Sequence, residues 1–162
     1  MTAIQAMTVA LMVEVQILTR KGRPPARERL VEWARAAWRH PSRDGEVVLR
    51  ITDEAESRRL NHDYRGKDHP TNVLSFPFDP PPEVDQDHVG DLVVCAPLVA
   101  QEAREQGKSA DAHWAHMIVH GMLHLQGHDH ATDQQAMAME ALETDILGML
   151  GLPPRYADDG KN

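Results

Sequence analysis

The sequence predicts one α+β domain, in which a mixed sheet of about four strands packs with about five helices. Segments with the composition of strands lie within the first 95 residues, whereas helical spacing of apolar residues dominates the rest. The chain has 162 residues, 41% of them hydrophobic and 26% charged, which is typical of a single globular domain. We therefore treat residues 1–162 as one domain and expect a flexible tail from about residue 153.

The strands are predicted from runs of β-branched residues that alternate with polar ones. Two of the connections between them carry a helical pattern, and a proline-rich loop makes the third. Because helical crossovers suit parallel neighbours, the sheet is expected to be mixed, with a strand order that the sequence does not reveal. The predicted strands are Thr8–Leu18, Glu46–Thr52, Asn72–Phe76 and Gly90–Cys95, and the loop is Asp79–Asp87.

The helices are predicted from apolar spacing and from the residues that begin and end helices. Thr52 is a candidate N-cap for the second helix, since acidic residues follow it in the first turn. Gly107 and Gly127 follow the third and fourth helices, as expected of glycine after a helix C-terminus. The helical segments are about Pro25–His40, the stretch from behind Thr52 to Gly66, Pro97–Gln106, Asp111–Gln126 and Asp133–Leu150.

Composition excludes several classes of protein. Cys95 is the single cysteine, which rules out an internal disulfide and fits a reducing compartment. Aromatic residues make up only 4%, which argues against a surface built mainly to stack single-stranded bases. No segment reaches the roughly 18 apolar residues of a membrane span. The segment Val9–Val13 is apolar, but no positively charged segment precedes it, so we do not expect a secretory signal. We therefore expect a cytoplasmic protein without a membrane partner.

The net charge of −8 hides an asymmetry along the chain. Residues 1–75 carry 13 Lys and Arg against 10 Asp and Glu, whereas residues 76–162 carry 4 against 15. A chain with a net negative charge is a poor candidate for binding nucleic acid. Because only residues 1–75 carry an excess of positive charge, an anionic partner is expected to bind there. The densest run of positive charge there is Arg50, Arg58, Arg59, Arg65 and Lys67.

Three of the ten histidines have the spacing of metal ligands. His120 and His124 stand on the same face of a helix, and Gly127 lets the chain reverse so that His130 can join them. Three neutral imidazoles suit one Zn²⁺ and leave a fourth position for water, as in a catalytic site. The alternative is a histidine-rich helix with polar or core histidines, but the glycine and the third histidine favour a metal site.

Other residues near this motif have less specific interpretations. His113 and His116 lie on nearly the same stripe but one and two turns earlier, so we expect core positions or support of the ligands. Asp129 lies in the turn, where it either orients a ligand imidazole or simply forms the turn.

The spacing of the three histidines is also that of the metzincin proteases. Those enzymes need a Glu as general base directly after the first histidine, where this chain has Gly121. Met137 and Met139 fall in a helical pattern that is typical of core residues rather than of a methionine turn. A peptidase-like hydrolase is therefore the second interpretation.

A second half of the site is expected where the second helix meets the third strand. Arg65 and Lys67 have the charge to grip phosphate, although cations also belong near helix C-termini for reasons of the helix dipole. A metal that polarises a phosphoryl oxygen needs a cation across the cleft, which favours a functional Arg65. Ser75 either hydrogen-bonds substrate or points out of an edge strand.

Taken together, these segments closely resemble the YbeY family of bacterial metal-dependent endoribonucleases. The resemblance implies zinc at the three histidines and a functional arginine at Arg65. It also implies single-stranded RNA as substrate, the 3′ end of small-subunit ribosomal RNA as a target, a role in ribosome quality control, and ribosomal partners. The matching motifs are Tyr64–Asp68, Thr71–Pro77 and His120–His130, within a similarity over roughly residues 45–152.

The expected mechanism is metal-assisted phosphodiester hydrolysis, with His120 as a ligand and Arg65 as the stabiliser of developing charge. Lys67 and Ser75 are expected to contact the substrate. An assembly factor with a structural zinc is a further alternative, disfavoured because structural zinc normally has four protein ligands. The sequence does not single out a general base, for which the candidates are Asp68, Asp91, Asp129 and Glu143.

Overall fold

The structure is a computed structural model that describes residues 11–40, 43–78, 80–81 and 87–152. Within these ranges the strands and helices follow in the predicted order, which confirms the α+β prediction. Residues 8–10 of the first predicted strand, most of the loop Asp79–Asp87 and the tail from residue 153 lie outside the described residues. The elements are β1 (Leu11–Ile17), α1 (Arg27–Ala36), β2 (Gly45–Thr52), α2 (Glu54–Arg65), β3 (Val73–Pro77), β4 (His88–Cys95), α3 (Ala96–Glu105), α4 (Ala110–Leu125) and α5 (Asp133–Met149).

The strands form one mixed sheet in the order β1-β2-β4-β3. β2 lies parallel to both β1 and β4, whereas β3 and β4 are antiparallel. After α2 the chain runs out to the edge as β3, and the following loop returns it so that β4 enters between β2 and β3. Among the residues that the structure describes, β3 is therefore an edge strand, with no strand paired to its outer side.

α4 is the central helix of the fold. Twelve of its 16 residues are buried, because it packs between α1, α3, α5 and the β3 and β4 side of the sheet. Trp114 is completely buried at its start, and Leu123 is completely buried near its end. A helix that is apolar on nearly all sides is expected at the centre of a domain. Within the described residues, no helix is both long and apolar enough to cross a membrane.

The start of α2 differs from the prediction. The N-cap is Asp53, whose side chain accepts a 3.2 Å hydrogen bond from the backbone N–H of Glu56. Thr52 is instead the buried last residue of β2. Threonine and aspartate are both good N-caps, so the sequence alone could not choose between neighbours.

α5 begins at a capping box, in which Thr132 and Gln135 each accept a hydrogen bond from the other's backbone N–H. Met139 is buried, as predicted, but Met137 is 71% exposed, so its prediction as a core residue was wrong. Two residues along a helix correspond to a rotation of about 200°, which places the two methionines on opposite faces.

Candidate functional site

The C-terminal end of α4 brings two of the predicted metal ligands together. His120 and His124 present their Nε2 atoms 3.2 Å from one another. Directly after the helix, Gly127 adopts a left-handed conformation with φ of 96°. The N–H groups of Gly127 and His128 bond back to the carbonyls of His124 and Leu123, each at 3.0 Å. This turn reverses the chain at the predicted glycine.

The reversal brings His130 back beside the helix, so that three imidazoles surround one point. The ring centroid of His130 lies 5.0 Å from that of His124 and 5.8 Å from that of His120. One nitrogen from each of the three rings lies within 4.8 Å of the other two. The structure thus brings the three predicted ligands together in one cleft.

This donor set fits a metal ion. In a tetrahedral zinc site with Zn–N bonds of about 2.0–2.1 Å, neighbouring nitrogens lie about 3.3 Å apart. The separation of 3.2 Å between the Nε2 atoms of His120 and His124 matches that spacing. Burial and the neighbouring histidines lower the pKa of His124, which keeps this imidazole neutral and its lone pair available.

Glu143 of α5 supports His120 from behind. Its Oε2 lies 2.5 Å from Nδ1 of His120, and its Oε1 lies 3.3 Å from Nε2 of His116. Burial acts to raise the pKa of Glu143, but hydrogen bonds from His116 and His120 outweigh it and lower the pKa to about 2. The ionised carboxylate therefore keeps the proton of His120 on Nδ1, which leaves the lone pair of Nε2 to face the cleft.

From the sequence, Glu143 is predicted only as one of four candidate general bases. A signal was present, because Glu143 lies four residues after Met139 and three before Ile146, both of which are buried. A carboxylate on the apolar face of a helix needs a partner when it is buried. His116, His120 and Glu143 also converge closely enough to be considered a metal site, but their facing atoms are engaged in the hydrogen bonds just described.

His113 and His116 occupy buried positions behind the three predicted ligands, as expected, and do not join them in the cluster of ring nitrogens. They are only 2% and 1% exposed. Nε2 of His113 lies 2.9 Å from Oε1 of Glu102, and the same carboxylate accepts hydrogen bonds of 3.1 and 3.2 Å from the side-chain amide of Asn72. Burial lowers the pKa of His116. This network ties α3 and α4 to the start of β3.

The opposite wall of the cleft is built from the end of α2 and from β3. A cavity of about 660 Å³ separates this wall from the histidines. Arg65 is the last residue of α2 and lines the cavity, and the helix stops there because Gly66 turns left-handed with φ of 71°. Lys67, by contrast, is exposed and lies outside the set of residues that line the cavity.

Three of the five cations in the positive run pair with carboxylates of the fold. Arg50 and Arg59 pair with Glu56, and Arg58 pairs with Asp68. Arg65 has no ion-pair partner within the described residues, so its guanidinium stays available to the cleft.

The segment between Gly66 and β3 is held down on α2 by buried polar side chains. The hydroxyl of Ser57 donates to the carbonyl of Thr71 at 2.8 Å and accepts from its N–H at 2.9 Å. The amide of Asn61 donates to the carbonyl of His69 at 2.8 Å. These bonds fix the position at which β3 begins relative to Arg65.

Ser75 lies on the cleft wall, but its hydroxyl already has a partner in the fold. It donates to the carbonyl of Gly121 at 3.3 Å and so ties β3 to α4. A Cβ added at Gly121 would lie 2.8 Å from Leu92 Cδ2 and 3.3 Å from Val73 Cγ2. A side chain at the position where metzincins carry their catalytic Glu would therefore require Leu92 and Val73 to shift in this protein.

The other acidic candidates differ in position. The carboxylate of Asp68 is paired with Arg58 at 2.8 and 3.0 Å, and the hydrogen bond from Arg58 lowers the pKa of Asp68. Asp91 lies 3.1 Å from Nε2 of His88 and is away from the cavity lining. Asp129 does line the cavity, where its Oδ1 accepts a 2.7 Å hydrogen bond from the backbone N–H of His130. Asp129 thus forms the turn.

The family model described as Endoribonuclease YbeY matches residues 20–151 of this chain. The chain belongs to the YbeY family. This membership confirms the resemblance drawn from the sequence and assigns the chain to a family of nucleases. The match includes all three histidines and both walls of the cleft.

Two curated relatives carry the same YbeY description. Endoribonuclease YbeY from Pseudomonas putida (strain W619) is 56% identical over 128 residues, which cover 78% of this chain and 82% of the relative. Endoribonuclease YbeY from Pseudomonas entomophila (strain L48) is 55% identical with the same coverage. The solution structure of TM1509 from Thermotoga maritima superposes with a TM-score of 0.50 at 24% identity, covering 86% of this chain and 91% of that chain. That similarity supports the fold alone.

Proposed function

We propose that this member of the YbeY family is a zinc-dependent endoribonuclease that cleaves single-stranded RNA. One observation carries the proposal: three convergent imidazoles and Arg65 line the same cleft. The family description supplies the class of reaction. The cleft combines the two kinds of group that phosphodiester cleavage needs, a cation-binding centre and a fixed donor for phosphate.

His120, His124 and His130 would hold one Zn²⁺ through their ring nitrogens. When bound, the ion supplies a Lewis acid that polarises a phosphoryl oxygen and makes water more acidic. Arg65 donates two parallel hydrogen bonds to the phosphate and stabilises the negative charge that builds on its non-bridging oxygens. Glu143 keeps the proton of His120 on Nδ1, so that His120 serves as a neutral nitrogen ligand and not as a proton acceptor at that atom.

Lys67 and Ser75 extend the proposed contact with RNA beyond the reacting phosphate. Lys67 follows Arg65 by two residues and is exposed, so it would add a point charge beside that arginine. Ser75 lines the same wall as Arg65, on β3, where it would contact the RNA strand that Arg65 anchors.

The charge of the protein favours weak, local binding. With a net charge of −8, most of the surface repels RNA, and few phosphates are neutralised at the cleft. Binding is therefore expected to weaken with salt. We expect selectivity for an unpaired strand, because a phosphate has to reach the histidines inside the cleft and a flexible single strand can do this more easily than a rigid duplex.

We further propose small-subunit ribosomal RNA, near its 3′ end, as the target, with the small subunit and its proteins as partners in ribosome quality control. The support for this is the close match of the motifs around Arg65 and the three histidines to the YbeY family. The proposal places this activity in the cytoplasm and assigns it to residues 1–162 as one domain.

The test uses one preparation of the protein whose zinc content has been measured. Single-stranded RNA, a duplex of the same sequence and casein are offered in parallel. We expect cleavage of the single strand only, and H124A should lose both zinc and cleavage because two imidazoles hold zinc poorly. Casein cleavage without RNA cleavage would favour the peptidase interpretation. Cleavage of neither substrate by zinc-loaded protein would favour a non-catalytic assembly factor.

A further inference from the structure

The outer edge of β3 forms a rim of the cleft, and its backbone groups can be placed from the hydrogen bonds to β4. The N–H of Cys95 donates to the carbonyl of Asn72, and the N–H of Phe78 donates to the carbonyl of Val89, each at 2.9 Å. In an antiparallel ladder, hydrogen-bonded pairs alternate with non-bonded pairs. Given the register, residues 72, 74, 76 and 78 face β4 with their backbone groups, and residues 73, 75 and 77 face away.

The three outward-facing residues present a sparse pattern of donors and acceptors. The N–H of Val73 donates to the side chain of Asn72 at 2.7 Å, and Pro77 has no N–H. Ser75 is left with both its N–H and its carbonyl directed away from the sheet, and neither has a partner in the described part of the chain. The edge therefore offers one donor, on Ser75, among three carbonyl acceptors.

This pattern is complementary to a base and not to a phosphate. In an extended residue the N–H and the carbonyl point to the same side, so Ser75 presents a donor and an acceptor side by side. The Watson–Crick edge of every RNA base carries an acceptor next to a donor, and unpaired bases are recognised through this edge. A phosphate carries acceptors only, so the carbonyls of Val73 and Pro77 repel it. Phosphates are accordingly expected to bind Arg65, at the end of α2 on the same wall.

We propose that the main chain of Ser75 binds the Watson–Crick edge of an unpaired base, which makes the β3 edge a base-binding subsite of the cleft. This inference rests on the proposed function, because it assumes that the strand in the cleft is RNA. It also explains selectivity for single strands, because in a duplex the Watson–Crick edge of each base is already paired with the opposite strand and cannot bind Ser75. It also predicts little preference among the four bases, because each of them offers such a pair.

An extended peptide is the competing occupant of this edge, since it could pair with the same groups as an added strand. RNA is the better match here because Arg65, without an ion-pair partner in the described residues, faces the same cavity. Family membership favours RNA as well. Peptide binding is therefore treated as an outcome of the test.

The first experiment changes the substrate and leaves the protein intact. Zinc-loaded protein is given three oligonucleotides of equal length, made of uridine, 5-methyluridine or 3-methyluridine. The 3-methyl group blocks the Watson–Crick edge, whereas the 5-methyl group adds the same mass elsewhere. We expect similar kcat/KM values for the uridine and 5-methyluridine substrates. For 3-methyluridine we expect kcat/KM to fall by about tenfold or more, mainly because KM rises. Equal cleavage of both methylated substrates would overturn the inference. Failure to cleave any of them would count against the proposed function instead.

The second experiment removes the donor from the protein. S75P loses the outward N–H but keeps the ladder to β4, because proline is tolerated on the open side of an edge strand. It is compared with S75A, so that loss of the hydroxyl is common to both variants. We expect KM for oligouridine to be about tenfold higher in S75P than in S75A, with equal zinc content and equal circular dichroism. Equal KM values in S75P and S75A would refute a role for the N–H of Ser75. If S75P does not fold, the inference is tested by the comparison of the methylated uridine substrates alone. Inhibition by the hexapeptide Thr-Val-Thr-Val-Thr-Val near the KM of oligouridine would assign the edge to peptides.

Discussion

Nδ1 of His120 and Oε2 of Glu143 lie 2.5 Å apart across the interface between α4 and α5. The same carboxylate also accepts a hydrogen bond from Nε2 of His116, so one buried group fixes the orientation of two histidine rings on α4. Because α5 supplies that group, packing between the two helices sets the direction in which His120 presents its other nitrogen. The orientation of a predicted ligand is thus decided by a residue outside the histidine motif.

Glu143→Gln is expected to lower zinc affinity by about 10- to 100-fold, because the amide keeps the shape but loses the charge that orients His120. Competition with a chromophoric chelator measures the affinity. E140Q, on an exposed position of the same helix, is the matched control and should bind zinc like the unmodified protein. Unchanged affinity in E143Q would show that Glu143 only fills space.

Arg65→Ala is expected to leave zinc content and thermal stability unchanged and to lower kcat/KM for single-stranded RNA by about 100-fold. R65K should recover part of the loss, since an ammonium cannot reproduce the planar two-point contact. R59A removes the same charge from an exposed position on the same helix and serves as control. A large drop in the melting temperature of R65A would instead give Arg65 a structural role.

The pair formed by Arg50 and Glu56 predicts a pH dependence of stability. Both oxygens of Glu56 accept hydrogen bonds of 2.7 Å from Arg50, and this interaction lowers the pKa of Glu56 from 4.5 despite partial burial. A carboxyl with a lowered folded-state pKa stabilises the fold above its ordinary pKa, and the contribution is lost as the pH falls through the folded-state value.

Glu56→Gln should therefore cost about 1 kcal/mol of unfolding free energy at pH 7, and the difference should shrink below pH 4.5. Urea unfolding between pH 7 and pH 3.5 measures it. D68N removes an exposed ion pair and should change little at any pH. A difference that stays constant across this range would argue against the ion pair as its source.

Gly90→Ala is expected to destabilise the fold by about 2 kcal/mol or more, because the added Cβ would lie 2.5 Å from the carbonyl oxygen of Phe76 on the neighbouring strand. Gly148→Ala is the contrasting change. Nothing lies within 4 Å of a Cβ there, and alanine favours the helix, so a gain of about 0.5 kcal/mol is expected. Urea unfolding compares the two, and equal effects would mean that contact with β3 does not limit position 90.

Much of the fold could be predicted because it depends on residues close together in sequence. The helix that carries His120 and His124, the left-handed Gly127 and the return of His130 all follow from spacing and from the conformational freedom of glycine. The helices and strands themselves follow from apolar periodicity.

What could not be predicted depends on contacts between distant segments. The position of β4 between β2 and β3 is set by pairing across the sheet, for which the sequence gives no local signal. The contact of Glu143 with His120 requires knowing how α5 packs against α4. Met137 was misjudged because a stripe of methionines on a helix does not say which of them faces the core.

The open edge of β3 also bears on how copies of this protein meet at high concentration. Exposed strand edges template aggregation when they offer a regular row of donors and acceptors to another strand. Here Asn72 occupies one donor and Pro77 removes another, so a second copy of β3 would find Ser75 as its only donor among the described residues of this edge. β3 can therefore stay accessible to a ligand and still be a poor template for the strand pairing that starts fibril growth.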